Sequence, residues 1–266
     1  MSANRDNAAR PGAEAAFAEL AEIVRRLRAP DGCPWDREQT HETLKPFLIE
    51  EAYELLDAID RRRDGEMCEE LGDVLLQIML HAQIGADQGA FDVADVVSGL
   101  SRKLVTRHPH VFGETAVSGS GEVLVNWEKI KKEEKAGRGL FDGLPASLPA
   151  LQKAARMGEK AGRVGFDWPD AAGVRAKVAE ELLEVDEAVA SGDAAAVERE
   201  LGDLLFAMAQ WARHLGHLPE EALRKGCRAF ASRFAAMEAR VRESGRELHD
   251  LQPDALEDAW QEAKRR

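Results

Sequence analysis

The chain repeats itself at a fixed interval. Glu50-Glu51-Ala52-Tyr53-Glu54-Leu55 returns 130 residues later as Glu180-Glu181-Leu182-Leu183-Glu184-Val185. The same interval carries Glu70-Leu71-Gly72-Asp73-Val74-Leu75 onto Glu200-Leu201-Gly202-Asp203-Leu204-Leu205. Looser echoes flank these blocks: Gly32-Cys33-Pro34-Trp35 with Gly165-Phe166-Asp167-Trp168, and Trp127-Glu128-Lys129-Ile130-Lys131 with Trp260-Gln261-Glu262-Ala263-Lys264. A repeat this long is a duplicated domain rather than a solenoid unit. We therefore expect a lead-in over 1–13, a first helical module over 14–136, a linker over 137–149 and a second module over 150–266.

Each module reads as helical. Ala, Leu, Glu and Arg are abundant and long β-branched runs are missing, which favours helix over strand. Apolar residues recur at three- and four-residue spacing: Phe17, Leu20, Ile23 and Leu27 in a first helix, then Leu48, Ala52, Leu55 and Ile59 in a second over about 38–62. Residues 29–36 break the pattern between them. Asp64-Gly65 turns the chain into a third helix ending near Asp87, which carries Leu71, Val74, Leu75, Ile78 and Ala82. A fourth spans about 93–106 and stops before His108-Pro109, and another is expected around 126–135. The fold class is thus all-α, in tandem duplicated helical modules.

The repeated blocks hold the chemistry. Residues three apart on a helix are surface neighbours, so Glu51 and Glu54 project together, as do Glu70 and Asp73. An αα-hairpin brings the two pairs face to face. Four carboxylates in one place repel one another unless a cation sits among them. Oxygen ligands of this kind suit Mg²⁺, with Mn²⁺ as the alternative. The second module offers Glu181, Glu184, Glu200 and Asp203 in the same order. A lone Glu-Glu-x-x-Glu is ordinarily a solvated face. Two copies at matched spacing, beside apolar stripes, are not. Gly72 and Gly202, just before the aspartates, suggest close approach by another helix.

The formal net charge of −13 argues against a nucleic-acid partner and requires a cation or a basic cluster if the substrate is a phosphate ester. No apolar run is long enough to span a membrane. The first residues lack the apolar core of a signal peptide. Cys33, Cys68 and Cys227 form no pairing framework. These features point to a cytoplasmic protein with reduced thiols. His214 and His217, near a helix end, suit the helix dipole better than a metal.

Together these motifs resemble the all-α nucleoside triphosphate pyrophosphohydrolase superfamily. The two-module MazG proteins match over nearly the whole chain, from about Phe17 to Arg265. Gly32-Cys33-Pro34-Trp35-Asp36, Arg107-His108-Pro109-His110-Val111-Phe112 and Val164-Gly165-Phe166-Asp167-Trp168 are similar to that family's pattern. The resemblance implies Mg²⁺-dependent hydrolysis of NTPs and dNTPs at the α–β anhydride to NMP and pyrophosphate, nucleotide-pool housekeeping, and a homodimer whose modules pack into four-helix-bundle-like units completed by dimerisation. It implies that Glu51, Glu54, Glu70, Asp73, Glu181, Glu184, Glu200 and Asp203 are metal ligands. Glu50 and Glu180 enter as supporting partners of those ligands or as the base for water. The family's phosphate-binding Lys and Arg fall on Lys103 and Arg107. In the second module the aligned pair is Ala229 and Arg233; the lysine is absent, and Lys225 or Arg228 stands near enough to replace it. Trp127 with Lys131, and Trp260 with Lys264, are similar to a substrate-contacting terminal helix. No P-loop exists, which argues against γ-phosphate chemistry. The competing readings are a specialised dUTP, dCTP or phosphoribosyl-ATP pyrophosphohydrolase and a non-catalytic helical partner-binding protein. The tandem layout and the full set of carboxylates argue against both. Base and sugar preference are not legible.

Overall fold

A computed structural model describes residues 12–119, 121–123, 126, 127, 130, 137 and 139–265. Lys131, most of the helix expected over 126–135, and most of the lead-in expected over 1–13 lie outside the described residues. Those described form helices and no strand. The chain divides into two compact units, Met1–Ala136 and Gly137–Arg266.

The first unit runs through α1 (Ala13–Leu27), α2 (Pro34–Glu38), α3 (Lys45–Arg61), α4 (Asp64–Asp87), α5 (Val93–Arg107) and α6 (Pro109–Phe112). The helix expected over 38–62 begins seven residues late. Thr40 and Thr43 instead bond each other's backbone N–H, at 3.2 and 2.9 Å, and hold 40–43 as a turn. Pro46 then opens α3, at a position where a missing N–H costs nothing. Sequence periodicity also missed α2, too short to show a repeat. The α3–α4 turn is tight. Arg62 adopts the left-handed region at φ 55° and Arg63 N–H reaches back to Ala58 O at 3.4 Å. Asp64 and Glu66 then sit on the positive end of α4. At the start of α5, Asp92 and Asp95 form a reciprocal capping box. The core gathers Val24, Leu44, Met79, Leu80 and Ile84, each at most 2% exposed. Burying such side chains stabilises the unit by about 1.5–3 kcal/mol apiece.

The second unit comprises α7 (Ala150–Gly162), α8 (Ala171–Ser191), α9 (Ala194–His214), α10 (Pro219–Glu243), a single 3₁₀ turn at Leu248–Asp250, and α11 (Pro253–Lys264). Here Gly192 supplies the left-handed residue between α8 and α9, at φ 74°, where a glycine carries no Cβ penalty. Asp193 caps α9 by accepting from Ala195 and Ala196 N–H. Helix α7 packs on α9 and α10, and α11 on α10. Gln210, fully buried, donates to Ala154 O at 2.7 Å and accepts from Arg213 at 2.9 Å. It lies so close to Gly158 that a Cβ there would come within 1.7 Å of its Oε1. Lys160 donates to Leu140 O at 2.9 Å, tying part of the stretch read as a linker to α7.

Candidate metal centre and active site

In each unit an antiparallel helix pair, α3–α4 or α8–α9, brings the carboxylates together. Glu51, Glu70 and Asp73 offer oxygens that all lie within 4.8 Å of one another, and Glu181, Glu184 and Glu200 do the same. The quartets expected from the sequence therefore close to triplets, and the outlying member differs. In the first unit it is Glu54, which still touches Glu70. In the second it is Asp203, exposed on α9.

The electrostatics show crowding of like charge. Glu51 is held above the ordinary carboxylate range, first by burial and then by Asp73, Glu54, Glu50 and Glu70. Glu70 is raised by burial, then by Glu54, Asp73 and Glu69. Glu184 is raised by burial and then by Glu181. In the second cluster Glu181 is only 5% exposed, and its Oε2 is buried with no hydrogen-bond partner. A buried carboxylate oxygen left unsatisfied costs several times an ordinary hydrogen bond. Its neighbours Glu184 and Glu200 are acceptors when ionised. The donor set and the orphaned oxygen fit a hard divalent cation.

One residue that sequence reasoning missed sits inside this cluster. Lys177 donates to Glu181 Oε1 at 2.7 Å and to Glu180 Oε1 at 2.8 Å. Both carboxylates hold its ammonium above the usual lysine range. The signal was present, because Lys177 precedes Glu181 by four residues. Its counterpart in the first module is Phe47, so the interval repeat drew no attention to it. Glu50 and Glu180 are exposed beside their clusters.

The expected phosphate-binding residues sit on the next helices. Lys103 is exposed on α5, and Arg107 at its end places its guanidinium 5.5 Å from the centre of the Trp127 ring. His108 meets the same ring edge-on at 5.0 Å. In the second unit Lys225, Arg228 and Arg233 lie along α10, with Lys225 and Arg233 exposed. Trp260 packs 5.1 Å from Phe230, and Lys264 lies over it at 5.7 Å. A Cβ at Gly72 or Gly202 would meet nothing within 4 Å, so the close helix approach expected there is not made by the described residues. His214 does more than answer the helix dipole: it and Arg213 both donate to Asp167. That holds the Asp167 carboxyl down at about 2, with the Arg213 hydrogen bond as the largest cause. A cavity of about 440 Å³ opens beside this network, walled by Phe141, Phe166, Trp168 and Phe206. No helix of the described residues is long and apolar enough to cross a membrane.

Comparison with known proteins gives a consistent result. The model of the MazG nucleotide pyrophosphohydrolase domain matches residues 39–112 and 171–230, the two stretches that contain the carboxylate hairpins. The nucleoside triphosphate pyrophosphohydrolase/pyrophosphatase MazG of Thermotoga maritima is 47% identical over 93% of this chain and 95% of its own. The nucleoside triphosphate pyrophosphohydrolase of Escherichia coli K12 is 44% identical over 92% of this chain and 96% of its own. A solved MazG-related protein from Thermotoga maritima is 27% identical over 43% of this chain and 98% of its own, with a TM-score of 0.39. A full-length relationship of this strength, spanning both carboxylate hairpins, makes this chain a member of the MazG nucleotide pyrophosphohydrolase family.

Proposed function

We propose that this chain hydrolyses nucleoside triphosphates, ribo- and deoxyribo-, between the α- and β-phosphates to NMP and pyrophosphate. The observation that carries the reading is the duplicated carboxylate cluster, with the sealed, unpartnered Glu181 Oε2 at the heart of one copy. The names and near-complete coverage of the two relatives support it. The two modules, 14–136 and 150–266, each carry a site, joined by 137–149, with 1–13 as a lead-in.

Mg²⁺, or Mn²⁺ in its place, is held by Glu51, Glu54, Glu70 and Asp73 in the first site and by Glu181, Glu184, Glu200 and Asp203 in the second. When bound, it supplies charge neutralisation at the phosphates and a lowered pKa for a coordinated water. The chain's own groups do the rest. Glu50 and Glu180 support the ligands or take the proton of the attacking water. Lys103 and Arg107, and Lys225, Arg228 and Arg233, offset charge on the departing pyrophosphate. Trp127 with Lys131, and Trp260 with Lys264, hold the nucleotide.

The working form is a cytoplasmic homodimer that engages neither nucleic acid nor membrane. Both modules leave the same apolar positions open: Leu71 and Leu201 are 52% and 43% exposed, and Ile78 and Met208 43% and 47%. Matched apolar strips of this kind suit burial against a second copy. The deciding experiment is product analysis with a panel of NTPs and dNTPs in Mg²⁺. NMP and pyrophosphate are expected, and NDP with orthophosphate as first products would refute the reading. Light scattering should give twice 29.2 kDa.

A further inference from the structure

We propose that His41 and His81 form a one-proton clasp that positions the first carboxylate cluster; the idea rests on the metal reading given above. Their Nδ1 atoms are 2.8 Å apart. The ring planes differ by 6° and the centroids are 5.1 Å apart. The centroid separation exceeds the nitrogen separation by two half-rings, so the imidazoles meet head-on. One Nδ1–H points straight at the other Nδ1. Such a bond needs one proton between two nitrogens. The neutral pair takes a first proton on a ring Nε2 and keeps the bond; the next, which makes both rings imidazolium, leaves two donors and two positive charges facing each other.

The clasp closes one end of the helix pair that builds the cluster. His81 lies on α4, and His41 lies in the turn that launches α3. At the other end the chain is held by the tight Arg62–Arg63 turn. Glu51, Glu70 and Asp73 lie between the two fastenings. Asp73 precedes His81 by eight residues, about 12 Å along the helix. On the same face between them sits Gln77, 5% exposed, whose Oε1 is buried without a partner. The seam next to the cluster thus carries an unmatched polar atom, while at the clasped end Leu44 and Phe47 join Met79 and Leu80 of α4 in the apolar core.

Burial, and then His41, lowers the His81 pKa. The charged groups on the surrounding elements are already engaged. Glu42, next to His41, pairs with Lys45 at the start of α3. Arg28, following α1, pairs with Asp87 at the end of α4. Asp92 and Asp95 cap each other on the α5 side, beyond Phe91, whose ring lies 6.3 Å from His41. The lowered value means the clasp is whole above the ordinary imidazole range, about 6.5. It opens as pH falls through the folded value.

The second module fastens the same end differently. Trp211 occupies the position matching His81, and Arg175, matching Lys45, lies 5.5 Å from the centre of its ring. That cation–π contact has no group that titrates near neutrality. Acid should therefore loosen the first site by more than the second.

The test is calorimetric titration of Mn²⁺ into the full chain at about pH 8 and at a pH below the His81 midpoint, located by NMR titration of its ring protons. One background, Glu181→Gln/Glu184→Gln, leaves the first cluster; the other, Glu51→Gln/Glu54→Gln, leaves the second. Protonation of carboxylates weakens both. The first cluster should lose roughly tenfold more than the second. Adding His81→Gln or His41→Gln, which cannot take the second proton, should remove that excess. Far-UV circular dichroism selects whichever variant folds. Equal losses in the two clusters, or an excess that survives both substitutions, would overturn the clasp. No Mn²⁺ binding in either background at the higher pH would refute the metal reading itself, and the clasp's role with it.

Discussion

The two modules build the same carboxylate hairpin and balance its charge in opposite ways. In the first, Phe47 stands at the position of Lys177 and packs on the core, and Glu51 and Glu70 are both raised by burial and by neighbouring carboxylates. In the second, Lys177 reaches in and pairs with Glu181. One cluster is a site with repulsion stored in it; the other carries a built-in cation beside an orphaned oxygen. A second inversion concerns the ion pair that pins the loop after each module's opening helix. In the first module the base is on the loop side, Arg28, and the acid on the long helix, Asp87. In the second the acid is on the loop, Asp167, and the base on the helix, Arg213. The lesson is that duplication preserved the helical frame and its carboxylates, while the groups around them diverged.

The most forceful way to break the comparison is to remove both sites. Glu51→Gln/Glu54→Gln/Glu181→Gln/Glu184→Gln should abolish pyrophosphate release, while each double variant retains measurable turnover. A double variant as inactive as the quadruple would mean that one module does all the chemistry.

Next in size is the acid response of the second module. Asp167 titrates at about 2 in the folded chain against an ordinary 3.8. A depressed carboxyl pKa stabilises the fold above the unfolded value, and that contribution disappears as pH falls through the folded one. The difference amounts to about 2 kcal/mol, present above roughly pH 4 and gone below roughly pH 2. Asp167→Asn should remove it at neutral pH, read as a lowered urea midpoint, and the variant should lose less stability than the parent between roughly pH 4 and pH 2.

The missing lysine gives a sharper, smaller test. In the Glu51→Gln/Glu54→Gln background, Ala229→Lys should raise turnover by roughly tenfold, the worth of one charge-assisted phosphate contact. No gain would indicate that Lys225 or Arg228 already fills the role.

The smallest effect concerns the open glycines. In isolation Gly72→Ala and Gly202→Ala should stabilise their helices by about 0.5–1 kcal/mol, since a Cβ meets nothing within 4 Å. If a second copy packs there, the same substitutions should instead weaken dimerisation in sedimentation measurements.

What the sequence determined by itself is local or repetitive. The all-α class, the helices ending at Leu27, Asp87 and Arg107, and the pairing of Glu51 with Glu54 and Glu70 with Asp73 follow from three- and four-residue spacing, which one helix turn enforces. The interval repeat presents each carboxylate pair a second time at the same spacing. What only the tertiary structure decided depends on contacts across elements. Which three carboxylates converge differs between modules although the motif is the same, because side-chain placement across the seam depends on how each hairpin closes. The start of α3 at Lys45 rests on a Thr40–Thr43 turn that competes with helix. His41 and His81 meet across 40 residues, and Arg213 and Asp167 across 46. No helical or strand period links such positions. They come together only when the apolar faces of their helices pack, so the frame could be read from the string of residues while the fastenings that tune it could not.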